Sequence, residues 1–182
     1  MNVIETALAG VLIIEPRVFD DGRGFFQETW HADRYAALNL PAFVQDNHSR
    51  SSLGVLRGLH AQRLRPQGKL VLVTRGAVFD VVADINPASP TFGQSVGIEL
   101  NDTNHRQLYV PPGYVHGFCV LSETVDFLYK CTDYYQPNDE IGVVWNDPDL
   151  AIDWPRQNPL LSAKDAALPT LAALTAQQRA AP

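Results

Sequence analysis

Apolar and polar residues alternate in short runs along most of the chain after residue 43, and turn residues separate the runs. A period of two is typical of strands that bury one face. The runs predict strands at residues 44–49, 54–60, 69–74, 77–85, 95–100, 107–110, 116–121, 125–132 and 143–145. Their short length, with no helical runs between them, favours a β-sandwich or barrel over a βαβ sheet.

The two ends of the chain show different patterns. Residues 10–19 predict a strand that Pro16 interrupts, which places it at a sheet edge. A turn follows at residues 20–24, and residues 32–39 predict a short helix with Tyr35 and Leu38 on one face. The alanine-rich end, from residue 169 to 182, predicts a loosely docked helix or a frayed tail. Since no internal repeat or low-complexity linker divides the chain, residues 1–182 are expected to form one domain.

The composition indicates a folded protein with an excess of acidic residues. Hydrophobic residues make up 46% of the chain and charged residues 19%, with a net charge of -6 and a pI of about 5.2. This balance excludes a general affinity for nucleic acids or for acidic membranes. An anionic ligand would therefore have to meet a local basic cluster, and the candidates are Arg50, Arg57, Arg63, Arg65 and Lys69.

Several features of the sequence predict a cytoplasmic location. No stretch reaches the roughly eighteen apolar residues of a membrane span. The first ten residues lack the basic start and long apolar core of a signal peptide. Cys119 and Cys131 lie in apolar runs, as expected of buried, reduced thiols.

The histidines of a β-barrel can bind a metal ion between facing strands. Metal-binding cupins carry a His-x-His pair followed by a carboxylate, and later a Pro-x-Gly-x-x-His motif. Here the later motif is present and ends at His116, but His60 is followed by Ala61 and Gln62. Because a transition metal needs three or four converging ligands, the sequence predicts no metal.

The histidines can instead serve in acid–base chemistry on an anionic substrate. Residues 54–60 form a predicted strand that ends at His60, within a segment that also holds Arg57 and Lys69. A histidine suits a general base near neutral pH, and a carboxylate that orients the ring improves it. A nearby lysine stabilises an enolate, and a tyrosine on the opposite side can return the proton.

A series of long motifs, covering about residues 10–165, resembles the dTDP-4-dehydrorhamnose 3,5-epimerases in both content and order. The motifs are GRGFFQE, QDNHSRSSLGVLRGLH, QGKLVLVTRGAVFDVVADI, SPTFG, RQLYVPPGYVHGF, FLYKCTDYY, NDEIGVVWNDP and LLSAKD. The resemblance implies an all-β, cupin-type jelly roll that acts as a homodimer without metal or cofactor. It implies inversion of C3 and C5 of dTDP-4-keto-6-deoxy-D-glucose, a step towards dTDP-L-rhamnose.

The resemblance also assigns catalytic roles. His60 corresponds to the family's base, and Asp165 to the aspartate that orients it. Tyr129 corresponds to the tyrosine that reprotonates from the other face, and Lys69 to the lysine near the C4 oxygen. Asp80 and Asp84 also lie on an apolar strand, so they are alternatives to Asp165 as the partner of His60.

The substrate-binding residues follow from the same resemblance. They are Arg23, Arg57 and Lys164 at the diphosphate, Phe26 and Tyr135 at the thymine, Glu28, Gln45 and Asn47 at the nucleoside, His116 at the sugar, and Glu140 among the remaining contacts. In the family, the segment that contains Arg23 and Phe26 reaches the site of the neighbouring subunit.

One departure from the family pattern leaves alternatives open. The family usually reads GLHYQ, whereas Ala61 follows His60 here, and on a strand that neighbour points away from the catalytic face. Inversion at a single carbon, C3 or C5, is one alternative. A metal-dependent cupin and a sugar-nucleotide-binding protein without activity are the others.

Overall fold

Two antiparallel β-sheets pack face to face in the computed structural model, which describes residues 1–180. The strands are β1 (Asn2–Glu5), β2 (Leu12–Glu15), β3 (Val18–Asp21), β4 (Gly24–Gln27), β5 (Gln45–Ser52), β6 (Leu56–Gln62), β7 (Lys69–Arg75), β8 (Ala77–Asp84), β9 (Ser95–Asn101), β10 (Gln107–Val110), β11 (Tyr114–Val120), β12 (Thr124–Cys131) and β13 (Glu140–Gly142). The helices are α1 (Ala32–Ala36), α2 (Ala163–Ala166) and α3 (Leu171–Ala180).

The strand order is that of a jelly roll. One sheet has the order β1-β2-β10-β7-β12-β5 and the other β13-β6-β11-β8-β9, while β3 and β4 form a separate hairpin. Neighbours in each sheet are mostly distant in sequence, so long connections pass between the two sheets. The prediction of an all-β, cupin-type jelly roll is confirmed.

A hydrophobic core fills the space between the sheets at one end. It includes Val71 and Val73 from β7 and Phe127 from β12 on one side, facing Phe118 from β11 on the other. Because side chains two residues apart share a face of a strand, Lys69 continues the inward-facing series of β7. The same strands that hold the sheets together therefore also carry polar groups between them.

Helices and loops cover the outer faces of the sheets. Leu171 and Leu174 of α3 pack against the outer face of the β6-containing sheet, so α3 is docked on the barrel. Tyr35 of α1 packs against the other sheet beside Leu70 and Tyr109. Within residues 1–180, no helix has the length and apolar character needed to cross a membrane.

Several predicted elements need correction. The predicted edge strand at residues 10–19 is two strands, and β2 lies inside a sheet, between β1 and β10. Pro16 falls at the break between β2 and β3, where no ladder hydrogen bond is lost. The strand predicted at residues 143–145 instead lies three residues earlier, as β13, because the pairing with β6 starts at Glu140. Residues 181–182 of the predicted C-terminal tail lie outside the described residues.

A bulge in β6 replaces the simple alternation predicted for residues 54–60. His116 pairs with His60 and Phe118 with Arg57, so three steps along β6 match two steps along β11. Leu56 and Leu59 consequently both face the outer cluster, although they are three residues apart. The bulge also brings the side chains of Arg57 and His60 to the same cavity.

Two glycines, Gly58 of β6 and Gly117 of β11, make room for this bulge. Gly58 has a φ of +119°, and a Cβ placed there would lie 2.6 Å from the Cα of Gly117 and 2.8 Å from the carbonyl oxygen of His116. Gly113 has a similar φ of +99°, but a Cβ there would have no heavy atom within 4 Å. Gly58 and Gly113 therefore have similar backbone conformations, but only at Gly58 would a Cβ meet neighbouring backbone atoms.

We expect Gly58→Ala to lower the free energy of unfolding by at least about 2 kcal/mol more than Gly113→Ala, because only the first substitution adds a backbone clash to the strain of a positive φ. Urea denaturation of both variants measures the difference. Equal losses would show that the close approach of β6 and β11 is not what requires glycine.

Candidate active site

The polar end of the barrel opens into two adjoining cavities of about 310 Å³ and 300 Å³. Both cavities are bordered by His60, Lys69 and Tyr129, which therefore mark the centre of the site. The first cavity is further lined by Ser49, Arg57, His116, Gly117, Phe118, Phe127, Ser162, Lys164 and Asp165. The second is further lined by Gln45, Asn47, Ala61, Gln62, Gln67, Cys131, Tyr135 and Glu140.

His60 is held by a carboxylate from the end of the chain. Its Nε2 lies 2.6 Å from Oδ1 of Asp165 in α2, whose first turn is capped by the hydroxyl of Ser162. Burial lowers the pKa of His60, while Glu140 and Asp165 oppose that shift. The imidazole is therefore largely neutral near pH 7, as a base must be before it accepts a proton.

Tyr129 and Lys69 stand on the opposite wall from His60. Both belong to the β7- and β12-containing sheet, whereas His60 and His116 belong to the other sheet. Burial raises the pKa of Tyr129, so its phenol keeps its proton at neutral pH and can donate it. A base and an acid thus face the cavity from different sheets.

Lys69 is surrounded by protein at the cavity wall. Burial lowers the pKa of its ammonium, and interactions with Cys131, Glu140 and Asp80 oppose that effect. An ammonium with little water around it interacts strongly with any negative charge that develops nearby. This position suits the stabilisation of an enolate oxygen.

A second histidine–carboxylate pair lies beside the first. His116 is the cross-strand partner of His60, and its Nε2 lies 2.8 Å and 3.0 Å from the two carboxylate oxygens of Asp80. Burial raises the pKa of Asp80, with His116 and Lys69 opposing. Asp84 instead accepts hydrogen bonds from the turn after β8. Neither aspartate is placed against His60.

Glu140 links three other groups of the site. Its Oε1 lies 2.6 Å from Nζ of Lys164 and 3.7 Å from Nε2 of His60, and its Oε2 accepts a hydrogen bond of 3.2 Å from the hydroxyl of Tyr135. Burial pushes the pKa of Glu140 upward, but Lys164 and His60 outweigh it and leave that pKa below its usual value. The carboxylate is therefore charged at neutral pH.

Polar side chains from β5 and β6 extend the site away from the reacting groups. Gln45 and Asn47 alternate with outward-facing residues along β5, and the amide of Gln45 donates to Oδ1 of Asn47. The backbone N–H of Tyr135 donates to Oε1 of Gln45, which ties the ring-bearing loop to the sheet. Arg57 lies at the mouth of the first cavity, where its Nε donates to the hydroxyl of Ser51.

Three predicted binding residues lie outside the cavities of their own chain. Arg23 and Phe26 belong to the exposed β3–β4 hairpin, where Arg23 pairs with Asp21 and the ring of Phe26 is 67% exposed. Glu28 follows the hairpin and pairs with Arg34 at 2.6 Å. The hairpin also exposes Phe19 and Phe25, so an unusually apolar surface surrounds these residues.

Sequence reasoning missed some residues of the site and misjudged others. Gln62 was not predicted, although its side chain holds the backbone of Arg65 and Gln136 and borders the second cavity. Its place two residues after His60 was the available signal. Of the proposed basic cluster, Arg50 and Arg65 instead pair with the carboxylates of Asp126 and Asp133. Ala61 packs into the outer cluster and also borders the second cavity.

Among the described residues, no group of three or more His, Cys, Asp or Glu side chains is arranged to hold a metal ion.

Comparisons with known proteins agree with this geometry. The family model described as dTDP-4-dehydrorhamnose 3,5-epimerase matches residues 5–173. The dTDP-4-dehydrorhamnose 3,5-epimerase of Salmonella typhimurium is 54% identical over 175 residues, which cover 94% of this chain and 96% of that protein. The enzyme of the same name from Neisseria gonorrhoeae is 52% identical over 92% of this chain, which spans only about half (52%) of that relative.

A solved structure extends the comparison to three dimensions. The dTDP-6-deoxy-D-glucose-3,5-epimerase of Legionella pneumophila, in complex with dTDP-4-keto-L-rhamnose, superposes with a TM-score of 0.93 at 52% identity. The match covers 97% of this chain and 95% of that one. Since the similarity spans nearly the whole barrel and all the strands that build the site, the chain belongs to the dTDP-4-dehydrorhamnose 3,5-epimerase family.

Proposed function

We propose that this protein inverts C3 and C5 of dTDP-4-keto-6-deoxy-D-glucose and yields dTDP-4-keto-L-rhamnose. The observation that carries the proposal is the placement of His60, paired with Asp165, across one cavity from Tyr129 and Lys69. Inversion needs a base on one face of a carbon and an acid on the other. A chain of this family with that arrangement fits the reaction.

The proton transfers balance at each centre. The C4 ketone acidifies the C–H bonds on both flanking carbons, and His60 removes one of these protons. The C–H electron pair moves into an enolate whose negative oxygen is stabilised by the ammonium of Lys69. Tyr129 then donates its phenolic proton to the opposite face of the carbon. The imidazolium loses its proton and the phenolate regains one from solvent, after which the second carbon reacts in the same way.

The carboxylate of Asp165 supports this cycle in two ways. Accepting a hydrogen bond from Nε2 of His60 fixes the tautomer and the orientation of the ring. Its negative charge also stabilises the imidazolium that forms when the base accepts a proton. The chemistry needs no electron transfer, and we propose that it proceeds without a metal or cofactor.

The remaining polar residues suit a nucleoside diphosphate. Arg57 and Lys164 supply positive charge at the first cavity, and the fork of an arginine matches phosphate oxygens. Gln45, Asn47 and the ring of Tyr135 border the second cavity, where amides and an aromatic face suit a thymidine group. We assign His116 to the sugar end of the site, beside His60.

We propose that the protein is a cytoplasmic homodimer of single-domain subunits. The β3–β4 hairpin exposes three phenylalanine rings together with Arg23, and such a surface is expected to be covered in a stable assembly. In the dimer, Arg23, Phe26 and Glu28 would contact the nucleotide in the neighbouring subunit's site. This arrangement would explain why they lie away from the cavities of their own chain.

Incubation of the protein with dTDP-4-keto-6-deoxy-D-glucose in heavy water is expected to introduce deuterium at both C3 and C5, because each inversion exchanges a carbon-bound proton. Proton NMR of the sugar measures the exchange. Deuterium at one carbon alone would identify a single-centre epimerase. If the substrate binds but exchanges at neither carbon, the proposed activity is wrong and the protein is a binding protein without that activity.

The variant His60→Ala is expected to slow exchange at both carbons by at least about 1,000-fold, since it removes the base. Tyr129→Phe should impair inversion more than proton loss, because the enolate still forms but lacks its acid. His48→Ala is the matched control, since His48 faces away from the cavity and pairs with Asp126. Equal, small effects of the first two variants would contradict the assigned roles.

The variant Lys69→Met is expected to lose activity yet to unfold with a free energy about 1 kcal/mol higher at pH 7. Folding lowers the pKa of Lys69, so the unfolded chain holds this proton more tightly. The resulting loss of stability is fully present below the folded pKa of Lys69, and it fades as the pH rises from the folded to the unfolded pKa. Urea denaturation at pH 7 and pH 10 measures the difference, with Lys130→Met as the control. A less stable Lys69→Met protein would contradict the argument.

Mixing two inactive variants tests the shared site. Random pairing of Arg23→Glu and His60→Ala subunits makes half of the dimers hybrid, each with one intact site, so about a quarter of the wild-type activity should return. Each variant alone should remain inactive. If Arg23 served the cavity of its own chain, the mixture would stay as inactive as its components.

A further inference from the structure

Glu140 stands between the candidate base and an exposed lysine. Its Oε1 is 2.6 Å from Nζ of Lys164 and 3.7 Å from Nε2 of His60. The carboxylate is mostly buried, with 12% of its side chain exposed, whereas 57% of the Lys164 side chain is exposed. One shielded negative charge is therefore shared by two positive or potentially positive groups.

The contact with Lys164 is an ion pair that a competing anion can open. Oε1 is buried and lacks the angular geometry of a hydrogen bond, so charge holds the ammonium near it. Oε2 remains tied to the hydroxyl of Tyr135. Loss of Lys164 would leave Oε1 buried without a cation, and His60 is the nearest group that can supply one by accepting a proton.

The two residues border different parts of the site. Lys164 lines the cavity that also holds Arg57, and Glu140 lines the adjoining cavity, while His60 borders both. Under the proposed function, on which this step rests for the identity of the anion, a sugar-nucleotide diphosphate attracts Lys164. Arginine and lysine side chains together form a typical diphosphate site.

We propose that Glu140 is a positioning residue that changes partner, from Lys164 to His60, when a phosphate-bearing ligand engages Lys164. The base would then be strengthened when the nucleotide is in place, and the imidazolium that forms on proton abstraction would gain a second carboxylate. Glu140 would act through His60 and Lys164 and not by touching the reacting carbons.

Other charged and titratable groups surround His60, and a pH effect has to be separated from theirs. From the elements packed around it these are Asp165 and Lys164 of α2, Glu140 of β13, Lys69 of β7, Tyr129 of β12, His116 of β11, Asp80 of β8, Arg57 of β6 and Tyr135. Asp165 already contacts Nε2, so its contribution is present whichever partner Glu140 has. A double-variant cycle on Glu140 and Lys164 isolates the change of partner.

The test follows the titration of the His60 ring by NMR in the ligand-free protein, with Lys164→Gln, Glu140→Gln and the double variant. We expect the His60 midpoint to move to higher pH in Lys164→Gln and to lower pH in Glu140→Gln. The shift caused by Lys164→Gln should be much smaller when residue 140 is glutamine, because no carboxylate is left to re-pair. Shifts that simply add would overturn the proposal, since they would mean that Glu140 keeps its position.

Controls separate this effect from general damage. Lys130→Gln removes a lysine that pairs with Asp46 away from the cavities, so the His60 midpoint should not move. The titration of His48, which pairs with Asp126 on the outer face, should be unchanged in every correctly folded variant. His60→Asn identifies the resonance that belongs to His60. None of these measurements uses the substrate, so their outcome is independent of the proposed reaction.

Kinetics provide the second readout. Glu140→Gln is expected to lower kcat by about 10-fold or more, with little change in KM and an acid limb of the pH profile displaced to lower pH. If Glu140 were only a contact to the nucleotide, KM would rise and the acid limb would stay in place. That result would overturn the proposal even if the deuterium-exchange experiment supports the reaction.

Discussion

The interior of the barrel has to hold the sheets together and carry charge on the same faces. Valine and phenylalanine side chains of β7, β11 and β12 fill the space at one end, and Lys69, His116 and Tyr129 continue those faces at the other. Charged groups at such positions lose water and weaken the fold unless partners compensate. The two histidines are accordingly paired with carboxylates, and Lys69 lies near two carboxylates, those of Glu140 and Asp80. Apolar packing at the other end of the barrel stabilises the fold and offsets the free energy lost when these charged groups are removed from water.

Much of the architecture could be predicted from the sequence. The alternation of apolar and polar residues predicts most of the strands from residue 44 onward and the all-β class, since period two is a local property. The β3–β4 hairpin and the internal position of β2 could not be predicted this way. They depend on which strands become neighbours, and strand order is decided by contacts between distant residues.

The site shows the same division. His60 and Lys69 stand out in the sequence as polar residues on apolar strands, and the family resemblance indicates their partners. Pattern reasoning alone would place Arg57 and His60 on opposite faces, because three steps separate them. The bulge at Gly58 reverses that conclusion, and it forms because two glycines let β6 and β11 approach. The contact between Glu140 and Lys164 has no local signature, because it joins a short edge strand to a one-turn helix.

The pairing of His60 with Asp165 has a consequence for the order in which parts of the protein fold during synthesis. The two residues are 105 positions apart, and α2 follows every strand of the barrel in the chain. During synthesis, both sheets can be complete before the aspartate leaves the ribosome. At that stage His60 would have its neighbours in the sheet but not its carboxylate partner. Because contacts between residues far apart in the sequence form slowly, docking of α2 onto the barrel is expected to lag behind the pairing of the strands.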